Sequence, residues 1–230
     1  MRKFAMVMAA ASAVFLAASA ALADPQYGGT MGGPGGRSGA GPGGEPSLQT
    51  ERHDDKPEVT ARKAYASGVK ALNKGKSYAE QAEQEKNPDK KDNALAKAND
   101  SYYKALDWFT AALGSKGDMV EAWNGAGYVH LHIGAYGEAL DDYNHDLKLN
   151  PDDLDAVANR AEACLQLGRL DDVRLAYMDL FNHARDRADQ LMRSMQRWLA
   201  DRRTDSQGFK PAQLDAFQQW IDERLKMAGA

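Results

Sequence analysis

"EAWNGAGYVHLHIGAYGEALDDYNHDLKLNPDD", residues Glu121 to Asp153, decides how the rest of the chain is read. It sets three histidines, His130, His132 and His145, among five aspartates and four aromatic residues. That density suits either a chemical site or a helical framework. Around it, alanine, leucine and aromatic residues recur at three- and four-residue spacings from Pro57 to Lys226. No run alternates as a half-buried strand would, so the fold class is all-α.

The stretch also has a copy. Val120–Asp153 laid over Leu154–Arg187 aligns without a gap at a period of 34 residues. Trp123 falls on Val157, Gly127 on Ala161, His130 on Cys164, Gly134 on Gly168, Ala139 on Val173 and Tyr143 on Tyr177. The spacing of a small residue and a glycine seven positions on recurs earlier at Gly68 and Gly75. Each unit reads as two short helices. The small residue lets them approach closely, and the glycine takes the left-handed conformation that ends the first.

These residues resemble the pattern of the tetratricopeptide repeat family. Trp123, Gly127, Gly134, Tyr136, Ala139, Tyr143 and Pro151 stand in its register. Ala126, His130 and Asp146 depart from it, as do Arg160 and Arg185 in the second, looser unit. The resemblance implies an antiparallel helix-pair solenoid. Residues 57–119 then form a first repeat with a charged insertion at 77–100, 120–153 and 154–187 two regular repeats, and 188–230 a capping hairpin. In the first unit, Ser101–Leu113 reads as the closing helix, and Asn87-Pro88-Asp89 breaks the insertion into two helical arms. Past Arg187 the helix is expected to carry on, with Ala188, Leu191, Met192, Met195, Trp198 and Leu199 as its apolar stripe. Pro211 opens a last helix, and the two cover the end of the repeat stack.

The N-terminal quarter has a different character. Arg2 and Lys3 precede an apolar, alanine-rich run, and Ala21-Leu22-Ala23 supplies small residues before Asp24. That order predicts a signal peptide over 1–23, an exported and periplasmic protein, and no stable membrane span after cleavage. Residues 24–56 carry ten glycines between Gly28 and Gly44 and are expected to stay disordered as a leader. Cleavage would remove two bases and no acid, taking the formal charge from −4 to −6. A mildly acidic chain lacks the basic footprint that nucleic acid needs. Cys164 is the single cysteine and has no partner for an internal disulfide.

Chemistry finds little purchase. His130 and His132 stand two residues apart, about 200° around a helix, and cannot grip one ion. His130 occupies an inward repeat position and reads as a buried, hydrogen-bonded histidine. Asp141 and His145 are spaced as an ordinary surface pair. No His-Glu-x-x-His zinc helix, Gly-x-Ser-x-Gly elbow or phosphate-cradling loop occurs, so no metal, cofactor or catalytic residue is assigned. Cys164 aligns with His130 and belongs in the core as a small hydrophobe.

The resemblance implies instead a concave groove lined by each first helix. Its positions are Glu121, Asn124, Tyr128, Leu131 and His132, then Asp155, Ala158, Glu162, Leu165 and Gln166. The first unit adds Arg62, Tyr65, Val69, Leu72 and Asn73. Family members that clamp a C-terminal carboxylate use Lys and Asn at sites filled here by Asn124, Tyr128, Ala158 and Glu162, which disfavours that ligand. The expected function is a non-catalytic adaptor or assembly factor binding a partner peptide or helix. The rivals are a scaffold acting through the charged hairpin or the Arg-rich stretch Arg185–Arg203, and a helical hydrolase or metal enzyme.

Overall fold

Three prolines that open helices and two left-handed glycines that follow them set many of the helix boundaries. The computed structural model describes residues 56–228, and these form eight α-helices and no strand. They are α1 (Pro57–Gln84), α2 (Pro88–Ser115), α3 (Val120–Ile133), α4 (Tyr136–Leu149), α5 (Leu154–Gln166), α6 (Leu170–His183), α7 (Arg185–Thr204) and α8 (Pro211–Ala228). The expectations for residues 1–23, and for nearly all of 24–56, lie outside the described residues.

Residues 77–100 are helical on both sides of a turn at Glu85–Asn87, so α1 and α2 each run 28 residues. Asn87 caps α2 by accepting from the Lys90 N–H at 3.1 Å, and Pro88 holds its first position, where a missing N–H costs nothing. At the other end of the repeat region, α3 closes on Gly134 with φ +83°, and Gly168 follows α5 with φ +71°. Both lie in the left-handed region, where a Cβ is strained.

Within the pairs α1–α2 and α3–α4 the helices run antiparallel, and small residues set their spacing. On α1, Gly75 faces the Tyr102 ring and Gly68 faces Phe109, so positions descend along α2 as they ascend along α1. Gly127 of α3 likewise faces Tyr143 of α4. A Cβ on Gly68 would stand 2.6 Å from Phe109, and one on Gly127 2.9 Å from Tyr143. Each helix packs on the next. In addition α1 packs on α3, α3 on α5, and α5 on α7, so the odd-numbered helices form a row.

One buried cluster joins Leu72, Tyr102, Phe109 and Val129 across α1–α3. A larger one gathers Leu165, Tyr177, Leu180, Leu191, Met195, Trp198, Phe217 and Ile221 across α5–α8. Trp198 packs edge-on to Phe209 and Phe217, which ties α7 to α8. Phe209 also covers Gly168. Cys164 is buried there, and burial pushes its thiol pKa up.

The expected continuation of the helix past Arg187 needs correction. The chain breaks at Ala184, with φ −147° and ψ 73°, and α7 starts at Arg185. After the break α7 packs on both α6 and α5, and Leu191 and Met195 are buried there.

Candidate partner-binding face

One face of α3 carries Glu121, Asn124, Tyr128 and His132 at successive three- and four-residue steps, the spacing that stacks side chains along a helix. The row of odd-numbered helices sets α1 on one side of that strip and α5 on the other.

Tyr128 and His132 stack at 4.0 Å between centroids and 20° between planes, and His132 Nδ1 lies 2.8 Å from the Tyr128 carbonyl. Lys76 reaches over from α1 and sets its ammonium 3.9 Å above the Tyr128 ring. A cation over an aromatic face contributes about 0.5–2 kcal/mol, more as water is excluded. Tyr102 of α2 closes the far side, 5.8 Å from the His132 ring. Desolvation among the packed rings lowers the pKa of Lys76 and of His132; at His132 the Tyr128 carbonyl opposes the fall and nearby Lys76 adds to it, although one edge of the imidazole stays exposed. Burial also raises Tyr128, and it raises Tyr102 to about 12, with Tyr128 and the acids Glu80 and Glu83 adding to the latter.

One to two turns towards the N-terminus of α3, Tyr65, Val120, Glu121, Asn124, Leu149, Asn150, Asp153 and Asp155 line an open cleft of about 560 Å³. Asn124 donates from Nδ2 to Asp146 Oδ2 at 2.8 Å. Asp146 is fully buried, and its Oδ1 has no hydrogen-bond partner. Burial raises its pKa to about 6; the Asn124 bond opposes the rise, and Asp153 and Glu121 add to it. Asp153 spends Oδ1 capping α5 through the N–H groups of Asp155 and Ala156. Asp155 pairs with Arg187 at 2.5 Å.

The remaining sequence-derived positions divide. Arg62 and Asn73 are exposed, Tyr65 and Val69 half-buried, and Leu72 is buried against Phe109 and Tyr102. Leu131 is half-buried among Ala139, Tyr143, Ala156 and Ala163, so much of it belongs to the α3–α5 packing. Leu165 is a correction: it is fully buried and lines no open surface. The cause is α7, which lies over that side of α5. Glu162 is half-buried beneath the same helix, hydrogen-bonded to Ser194 and close to Arg197, with burial raising its pKa. Ala158 packs on the large core cluster, and Gln166 is half-buried. On α5 only Asp155 remains open to the candidate face.

The histidines singled out in the sequence have separate structural work. His130 Nδ1 lies 2.6 Å from Asp142 Oδ2, which joins α3 to α4. His145 stacks on Trp123 at 4.4 Å, and Trp123 donates to the Gly117 carbonyl at 2.8 Å. Among the described residues, no three His, Cys, Asp or Glu side chains are grouped to hold a metal ion.

Lys76, Glu80, Tyr102 and Asp146 were missed by sequence reasoning. Lys76 follows Leu72 and Asn73 at helical spacing, a signal hidden by its place beside the insertion. Asp146 stood out only as a departure from the small residue expected there. No protein-family model matches the chain, and no curated protein matches it. Among the described residues no helix is long and apolar enough to cross a membrane.

Proposed function

We propose that this protein is a non-catalytic interaction module that holds a peptide or helix of a partner protein against the face carried by α1 and α3. The observation that carries the reading is the continuous strip from Glu121 to His132. It sets a stacked aromatic pair under a lysine beside an acidic cleft. Aromatic anchors flanked by polar groups are the usual composition of energetic centres in protein recognition. A row of side-by-side odd helices, closed at one end by α7 and α8, supports the tetratricopeptide-type solenoid implied by the repeat, with α7–α8 as its cap. Fold alone does not assign function, so the weight rests on the strip.

Export belongs to the same reading: the mature chain would begin at Asp24 and act in the periplasm as an adaptor or assembly factor. Mass spectrometry of the protein purified from its native host checks this, and an intact Met1 would refute it.

For the interaction itself, the partner is recovered from native extract on immobilised wild-type protein and on Tyr128→Ala. Loss of that partner with unchanged helicity is the expected result; equal recovery defeats the reading. A second reading, self-association through the long α1–α2 hairpin, is favoured by Tyr103 and Trp108, which are 50% and 46% exposed on α2. Light scattering on a Tyr103→Ala, Trp108→Ala double variant tests it, and a monomeric wild-type protein would exclude it.

A further inference from the structure

We infer that the cleft between α3 and the start of α5 receives an arginine or lysine side chain of the partner peptide. The inference rests on the partner-binding reading above and names the chemistry recognised at one end of that face.

The cleft has two chemically distinct parts. Tyr65, Val120 and Leu149 give it apolar walls, and Leu149 remains 43% exposed. Glu121 and Asp153 supply carboxylates, and Asn124 an amide. Asp155 is already matched by Arg187 and Asp153 uses Oδ1 to cap α5, so Glu121 and the second oxygen of Asp153 are the acceptors left to the cleft. A long basic side chain fits this division: its methylene stem covers the apolar walls while its charged head reaches the acids.

Asp146 gives an independent indication. A fully buried carboxylate with one unpartnered oxygen sits directly behind Asn124, the cleft residue to which its other oxygen is bonded. Exposed Glu121 and half-buried Asp153, both lining the cleft, act on it electrostatically. A cation seated against Glu121 and Asp153 would relieve that repulsion for all three carboxyls. A bare metal ion is the poorer occupant, because the acids are not grouped for coordination.

The test uses a blocked heptapeptide with a central arginine among alanines, and the same peptide with neutral citrulline in its place. Amide spectra of the 15N-labelled protein should shift at Glu121, Asn124 and Asp153 with the arginine peptide and stay still with citrulline. Glu121→Gln with Asp153→Asn removes both charges while keeping a good helix cap at 153, and should weaken binding about two- to tenfold. The wild-type protein gives a second readout: affinity should fall as salt rises from about 50 to about 300 mM. Equal shifts from the citrulline peptide, or affinity indifferent to both salt and the double variant, would overturn the inference. So would a cleft filled by a second copy of the chain, seen as shifts that vanish on dilution without peptide. A natural partner lost on Tyr128→Ala but retained by the double variant overturns this inference and leaves the partner-binding reading standing.

Discussion

Replacing a helical glycine with alanine ordinarily stabilises a helix by about 1 kcal/mol, yet Gly68→Ala should destabilise this protein. Gly68 on α1 and Gly125 on α3 both abut Phe109 of α2, a ring with no exposed surface. A Cβ at Gly68 would lie 2.6 Å from Cε1, and a Cβ at Gly125 2.6 Å from Cζ. Carbon atoms settle at about 3.5–4.0 Å, so the ring must give by about 1 Å. Both glycines press on the same end of the ring, so the two substitutions compete for the same space. Overpacking of a filled core costs about 1–3 kcal/mol, and the propensity gain offsets about 1 of this. The net expectation for either single variant is a loss of up to about 2 kcal/mol, or several degrees in Tm. The double variant should depart from the sum of the two, because both substitutions act on the same ring. Urea denaturation followed by circular dichroism measures it. Gly137→Ala, whose Cβ would meet open space near the start of α4, provides the opposite sign. Phe109→Leu should restore tolerance of Gly68→Ala. If Gly68→Ala raises the urea midpoint as Gly137→Ala does, the packing argument is wrong.

Three further outcomes follow from individual side chains. Gly134→Ala should cost about 1 kcal/mol through its positive φ alone, and Gly134→Asn less, since asparagine tolerates that conformation; urea midpoints rank the two. Leu165→Ala should cost about 2–5 kcal/mol by leaving a cavity between α5 and α7, whereas a residue on an open groove would cost almost nothing; chemical denaturation distinguishes them. Asp146 titrates near 6 in the folded protein against an ordinary 3.8, so the native state holds its proton where the unfolded chain has released it. Its contribution is therefore complete below about pH 4 and declines through about pH 6, by on the order of 2–3 kcal/mol. The stability difference between wild type and Asp146→Asn, measured by urea from pH 4 to 7.5, should move in the variant's favour as pH rises. A flat difference would contradict the assigned burial.

What was legible in the sequence is what depends on backbone geometry and local spacing. Gly134 and Gly168 announced the helix ends because a left-handed residue is most easily a glycine, and both have positive φ. Gly127 against Tyr143 was readable for a similar reason: a missing side chain at a repeated position implies something large opposite. Gly125 was not, since it falls outside the repeat pattern and its neighbour Phe109 comes from the preceding helix pair. Leu165 read as a groove residue because its face is free until α7 docks, and the turn at Ala184 that docks it carries neither glycine nor proline. Asp142 and Asp146 were opaque from their own helix. Their partners, His130 and Asn124, are 12 and 22 residues away on α3, and only the antiparallel register brings each pair together. Lys76 reaches Tyr128 across 52 positions because α1 packs beside α3, a contact between helices that are not consecutive.

The central claim is that the α1–α3 face meets the partner, and site-specific photocrosslinking tests it most directly. A benzoylphenylalanine replacing exposed His132 samples that face, and one replacing Trp108 samples an exposed position of α2 outside the strip. On irradiation in the native host, the account predicts a discrete crosslinked partner from position 132 and none from position 108. The same product from position 108 alone, or from neither position while the partner still co-purifies, would contradict it.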